Sequence, residues 1–291
     1  LRQALSRTTP KKSMTLSSVK AEIMGNLNSR AIGVFDSGIG GLTVVRALME
    51  RLPFENIIYF GDTARVPYGI KSVGTIKSYA LQITEFLVKK EVKLLIVACN
   101  TMAAVAIGAI KEISPVPVLE VIGAGAAAAV AQTKNKAIGV IGTPATVNSN
   151  AYARAIHRVD RQIRVFSRAC PLFVPMVEEG WLDHEATRLT AVEYLKPVLA
   201  EGIDTLVLGC THYPLLKPLI SDIVGDSVRL VDSAEAMAEI TAGLITRDNL
   251  ANDSESSPAY HFFVSDVPYR FQTIGESFLG RTLPHVEMVK L

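Results

Sequence analysis

Two cysteines stand at matching places in two matching stretches, LLIVACNT at 94–101 and TLVLGCTH at 205–212. In each, four or five aliphatic residues run without alternation, as in a parallel strand buried on both faces, and give way to small polar residues where a loop begins. Ligands of open α/β sheets bind beyond the carboxyl ends of the strands, which puts Cys99 and Cys210 at two predicted strand mouths. Two thiols facing one pocket suit one reaction in particular: one removes a proton from one face of a carbon and the other delivers a proton to the opposite face. That is racemisation or epimerisation by two bases. A thiol of ordinary pKa, about 8.5, needs only neighbouring charge to make either protonation state accessible. His212 lies two residues after Cys210, and Asp36 sits at another predicted strand end. Asn100, Thr101 and Thr211 supply neutral hydrogen-bonding groups at the same edge, able to hold carboxylates without quenching the sulfurs. Turn amides at Ser37 and Gly38 can do the same.

The elements that must position these groups follow a repeating order. AIGVF at 31–35 reads as a strand, DSGIGG at 36–41 as a glycine-rich turn, and Leu42, Val45, Leu48 and Leu52 mark a helix. A strand is expected at 56–60, then the loop GDTARVPYG at 61–69 and an amphipathic helix at 76–89. The first cysteine strand follows, then a helix at 103–113 and a strand at 116–121. The order then restarts. AIGV at 137–140 repeats AIGV at 31–34, an offset of 106 (137 − 31), and Ile163–Phe166 matches Ile57–Phe60 at the same offset. Loops containing VP follow at Val66 and Val174, and the cysteines lie 111 apart (210 − 99). A helix from Pro214, a strand at 228–231, a helix at 234–246, a linker-like turn at 252–258 and a strand-helix-strand pattern complete the chain.

The expected fold class is α/β: two pseudo-symmetric units with open parallel sheets and the site in the cleft between them. Residues 31–122 with 235–291 form the first unit and 123–234 the second. Residues 1–30 read as a flexible basic extension. They carry Arg2, Arg7, Lys11, Lys12, Lys20 and Arg30 against Glu22, a net of +5 that leaves the rest of the chain at −3 within the overall +2. A body of that charge has no nucleic-acid footprint.

No apolar run approaches the roughly 20 residues of a membrane span, and no signal-peptide pattern is present. Three cysteines in 291 residues favour reduced thiols in the cytoplasm over a disulfide framework. DSGIGG is not the dinucleotide pattern G-x-G-x-x-G, and no G-x-x-x-x-G-K-[ST] occurs, so no cofactor is called for. Cys99, Cys210 and His212 lack the spacing of a zinc motif, and no metal is expected. Cys170, ahead of Pro171 without a charged neighbourhood, reads as an inert buried thiol.

Taken together, DSGIGGL, VPYG, ACNT, VPMVEEG and GCTHYP, in this order from about Ile32 to Ile240, resemble the bacterial glutamate racemases. The resemblance implies cofactor-independent interconversion of L- and D-glutamate, supplying D-glutamate for peptidoglycan, by a homodimer. It also implies roles: Cys99 as the base acting on D-glutamate with Asp36 supporting it, and Cys210 as the base acting on L-glutamate with His212 supporting it and Glu178 orienting the histidine. Substrate contacts are implied at Asp36, Ser37, Tyr68, Gly69, Asn100, Thr101, Thr143, Thr211 and His212. Plainer roles compete at several positions: Asp36 as a helix cap, Tyr68 and Gly69 as turn residues, Glu178 interchangeable with Glu179, and Asp62 with Arg65 as a local ion pair. At the level of function the alternatives are an aspartate racemase and a catalytically silent amino-acid-binding regulator on the same fold.

Overall fold

The structure is a computed structural model that describes residues 27–252, 256–267, 271–283 and 285–291. Most of the basic extension, residues 1–26, and part of the expected linker turn, residues 253–255, lie outside the described residues. Residues 27–30, grouped with the extension in the sequence, are tied to the body. The buried Lys93 ammonium donates to the Asn28 carbonyl at 2.6 Å, and Asn56 Nδ2 donates to the Ser29 carbonyl at 2.7 Å.

Among the described residues, ten strands form two sheets. They are β1 Ile32–Asp36, β2 Ile57–Gly61, β3 Leu94–Val97, β4 Val118–Glu120, β5 Ala137–Gly142, β6 Arg164–Ala169, β7 Thr205–Gly209, β8 Arg229–Asp232, β9 Tyr260–Val264 and β10 Val286–Met288. One sheet has the order β10-β9-β2-β1-β3-β4 and the other β6-β5-β7-β8. Every neighbouring pair runs parallel. The order second, first, third, fourth is therefore common to both, and the first sheet adds β9 and β10 beyond β2. That addition explains a difference in burial. β2 is buried along its length, whereas β6, the outer strand of its sheet, leaves Arg164, Ser167 and Arg168 exposed.

Strand register tests the internal repeat directly. Ile32 pairs with Ile57 and Leu94, and Ile138 pairs with Val165 and Thr205. The third strands thus correspond at an offset of 111 (205 − 94), the spacing of the cysteines. The second strands correspond at 108 (165 − 57), two residues later than the sequence match at 106. A two-residue slip leaves each side chain on the same face of its strand, so the repeat tolerates it.

The helix Val121–Gln132, VIGAGAAAAVAQ, carries no apolar stripe because it is enclosed on most sides. It packs on the helices Ala151–Val159 and Ser233–Arg247 and on β7. Its run of alanine, glycine and valine has no period that reads as a helix. The carboxyl ends of the two sheets meet. Thr43 Oγ1 donates to the Thr211 carbonyl at 3.1 Å, and the Thr101 and Thr143 hydroxyls lie 3.1 Å apart. At Gly40 a Cβ would stand 2.3 Å from Thr211 Oγ1 and 2.5 Å from His212 Nδ1, so only glycine lets the first unit's turn come this close to the second.

Candidate active site

Cys99 sits where β3 ends and a helix begins. The strand stops at Val97, Ala98 intervenes, and Cys99 is the N-cap of the helix Asn100–Ile113, its Sγ accepting from the Met102 N–H at 3.5 Å. The sequence placed this helix start at Ala103; the small polar run CNT is its first turn rather than a loop. Across from it, β1 delivers Asp36 and the turn delivers Ser37. Cys99 Sγ donates to Ser37 Oγ at 3.4 Å. Asp36 is 1% exposed; its Oδ2 accepts from the Gly38 N–H at 3.0 Å, and its buried Oδ1 has no partner among the described residues. The turn itself is held by Tyr59, whose hydroxyl donates to the Gly38 carbonyl at 2.7 Å.

Burial pushes the Cys99 thiol up to about 12, and the neighbouring Asp36 carboxylate adds to the shift. Asp36 is itself raised by burial, against the pull of His212 and the turn amides. Burial and the Asp36 carboxylate both favour the thiol form of Cys99.

The Cys210 end is wired differently. His212 Nδ1 lies 4.0 Å from Cys210 Sγ, and His212 Nε2 lies 2.9 Å from Glu178 Oε1. Glu178 ends the helix Phe173–Glu178, which brings it under the imidazole; of the two adjacent glutamates, it is the one paired with His212. Burial works against a charge on His212, but the hydrogen bonds to Cys210 and Glu178 outweigh it and raise the imidazole to about 10. The Phe278 and His212 rings pack in a T-shaped arrangement, centroids 5.0 Å apart.

The neutral groups cluster where the carboxyl ends of the two sheets meet. Thr143, N-cap of the short helix Pro144–Asn148, lies within hydrogen-bonding distance of both Thr101 and Thr146. Gly69 abuts Thr143, where a Cβ would be 3.3 Å away. Thr211 Oγ1 is 3.5 Å from His212 Nδ1. The Tyr68 hydroxyl is committed to Asp62, which also binds Arg65 Nε at 2.6 Å and Ser265 Oγ at 2.7 Å. The expected Asp62–Arg65 pair is thus part of a buried network that fixes the loop.

Cys170 is buried, its sulfur donating to the Arg168 carbonyl at 3.7 Å, and burial pushes its thiol up to about 12. Among the described residues, no group of three or more His, Cys, Asp or Glu side chains is arranged to hold a metal ion, and no helix is long and apolar enough to cross a membrane.

Tyr59, Tyr152 and Phe278 went unread in the sequence. For Tyr59 a signal existed, since a tyrosine in the otherwise apolar strand IIYFG must find a partner for its hydroxyl. Phe278 lies 66 residues from His212 (278 − 212), and nothing local marks it.

Paired parallel sheets of one strand order, with a thiol at the mouth of each third strand, define an α/β racemase. The profile of the Asp/Glu/hydantoin racemases matches residues 32–241. The glutamate racemase of Syntrophus aciditrophicus is 69% identical over 260 residues, 89% of this chain and 96% of that one. That of Neisseria meningitidis is 62% identical over 263 residues, 90% and 97% of the two chains. Among solved structures, glutamate racemase from Francisella tularensis in complex with D-glutamate superposes with a TM-score of 0.85 at 45% identity, covering 90% of this chain and 98% of that one. An isoform from Bacillus anthracis gives a TM-score of 0.87 at 40% identity, covering 91% and 98%. The chain belongs to the Asp/Glu/hydantoin racemase family, and within it to the bacterial glutamate racemases.

Proposed function

We propose that this enzyme interconverts L- and D-glutamate without a cofactor, using Cys99 and Cys210 as the two acid-base groups, and that it supplies D-glutamate for peptidoglycan in the cytoplasm as a homodimer. The observation that carries the mechanism is the pair of buried cysteines, 4% and 5% exposed, at equivalent strand mouths of two sheets, each beside a different titratable partner. With L-glutamate bound, Cys210 takes the α-proton while Cys99, kept protonated by its burial, delivers a proton to the opposite face. That turnover leaves Cys99 as the thiolate and Cys210 as the thiol, and from this state Cys99 takes the α-proton of D-glutamate while Cys210 returns one to the opposite face.

Asp36 supports the Cys99 side, and His212, held by Glu178, supports the Cys210 side. Ser37, Tyr68, Gly69, Asn100, Thr101, Thr143 and Thr211 complete the substrate contacts in this reading. One feature favours an anionic substrate: the buried Asn100 Nδ2, which has no partner among the described residues.

The test is incubation of metal-free, cofactor-free enzyme with L-glutamate, and separately with L-aspartate, in deuterated water, following optical rotation and α-deuteration together. The expected result is loss of rotation in glutamate with deuterium entering at the α-carbon, and slower reaction of aspartate. A pocket distinguishes one methylene by only about 1–3 kcal/mol, so some cross-activity belongs to this reading. Faster turnover of aspartate would reassign the substrate. Binding of glutamate with no exchange would replace the enzyme by a silent regulator.

A further inference from the structure

One side chain spans the two units at the level of the thiols without belonging to either set of acid-base groups. Tyr152, on the helix Ala151–Val159, is buried, and its hydroxyl donates to Asn100 Oδ1 at 2.7 Å. Asn100 directly follows Cys99. The ring of Tyr152 runs past Gly209, the residue before Cys210, where a Cβ would stand 3.0 Å from Cε2. Its hydroxyl passes Gly125, where a Cβ would stand 3.2 Å away. Glycines from two separate elements thus lie against the phenol, although at Gly209 a Cβ would meet the Ile141 carbonyl first, at 2.6 Å.

The bond has a consequence for the Asn100 amide. An asparagine offers an acceptor on one side and two donors on the other. With Tyr152 engaging the oxygen, the nitrogen must face away from Tyr152, and among the described residues the buried Nδ2 has no partner. Leaving a buried donor unpaired destabilises a fold, so a position that keeps one open is configured for an acceptor that arrives from outside. The Asp36 carboxylate is also buried, its Oδ1 without a partner among the described residues, and an amide oxygen turned to the substrate would add a further acceptor against an anion. We propose that Tyr152 is a positioning residue: it locks the Asn100 amide so that its N–H groups, not its oxygen, are presented to the substrate carboxylate. The proposal rests on the reading above that Asn100 contacts substrate, and it adds the group that sets that contact's polarity.

The test is a double-mutant cycle on the full chain with Tyr152→Phe, Asn100→Ala and the double variant, reading KM and kcat for both enantiomers together with thermal stability. Phenylalanine keeps the ring in its slot and removes only the hydroxyl. Tyr152→Phe is expected to raise KM on the order of tenfold while kcat changes by less than about twofold. Asn100→Ala is expected to raise KM at least as much, and the double variant no further than Asn100→Ala alone, because Tyr152 has nothing to position once the amide is gone. A merely structural Tyr152 would lower the active fraction, hence kcat, leave KM alone, and multiply with Asn100→Ala; that pattern overturns the proposal. An unchanged KM in Tyr152→Phe, with a raised KM in Asn100→Ala, overturns the proposal and leaves the substrate contact standing. An unchanged KM in Asn100→Ala removes the contact and the proposal together. The roles of the two thiols are judged separately, by the cysteine variants.

Discussion

The two units of the molecule agree closely in how they hold a thiol and differ in how they manage its proton. Each places its cysteine after the third strand. Each ends its fourth strand on an acid that caps the next helix: Glu120 accepts from Ile122 and Gly123, and Asp232 accepts from Ala234. At the cysteines the correspondence stops. Strand register equates Asp36 with Gly142 and Thr101 with His212. The first unit therefore keeps a buried carboxylate on its first strand, where the second has no side chain. The second keeps a histidine in its cysteine loop, where the first has a threonine. A carboxylate raises its neighbouring thiol, whereas a protonated imidazole offers a positive charge and a proton. One fold used twice thus sets two unlike groups of titratable side chains beside its two thiols, an asymmetry the proposed two-base reaction would use.

The sharpest way to break this comparison is to remove either sulfur. Cys99→Ala and Cys210→Ala should each lower racemisation by at least ~10³-fold, since each removes an acid-base group from one face of the substrate. Turnover near wild type in either, measured by polarimetry, would leave one unit without a role in the chemistry.

The partners come next. His212→Asn and Asp36→Asn should each cost on the order of 10²-fold in kcat, but they should differ in stability, read as Tm by calorimetry. The folded pKa of Asp36 is raised, so the ionised carboxyl destabilises the fold at pH values above that pKa, and the cost fades as pH falls toward the unfolded value of 3.8. Asp36→Asn should therefore raise Tm at pH 8, by an amount that shrinks toward pH 4. His212 has the opposite consequence. Its folded pKa of about 10 exceeds the unfolded 6.5, so its contribution is complete below about 6.5 and is lost as pH rises to about 10. Wild type should lose more stability between pH 7 and pH 10 than His212→Asn does. Equal pH slopes would remove the charge on His212 from the account. Glu178→Gln should have the smallest effect, roughly tenfold in kcat at most, because the Glu178 side chain is 43% exposed and its pairing with His212 is partly screened.

Much of this asymmetry could be read from the sequence, because the groups that carry it lie within a few residues of recognisable strand ends. The apolar runs LLIV and TLVLG announce buried parallel strands, and Cys99, Asp36, Cys210 and His212 follow from where those runs stop. What could not be read depends on contacts between distant segments. Tyr152 reaches Asn100 from 52 residues away and Phe278 covers His212 from the last described helix. Neither spacing repeats, and neither residue sits in a turn or a strand end. The Asn100–Ile113 helix start was misplaced for a different reason. A cysteine that caps a helix has no common signature, unlike Ser72, which caps Val73–Lys89 in the ordinary way. The enclosed helix Val121–Gln132 lacks the one-sided apolar stripe on which helix reading depends.

Rates in the two directions cannot by themselves separate the two units. Enantiomers have equal free energy in water, so kcat/KM for L- and D-glutamate must be equal in the wild type and in every variant. Exchange of the α-hydrogen without inversion escapes that constraint, because each thiol can remove and return a hydrogen on its own face. The decisive measurement is α-deuteration of each enantiomer in deuterated water by Cys99→Ala and Cys210→Ala, read by mass spectrometry with chiral separation. The account predicts that Cys210→Ala exchanges only D-glutamate and Cys99→Ala only L-glutamate, both without inversion. Exchange of both enantiomers by either variant, or of the opposite enantiomer by each, would contradict the assignment of one thiol to each face.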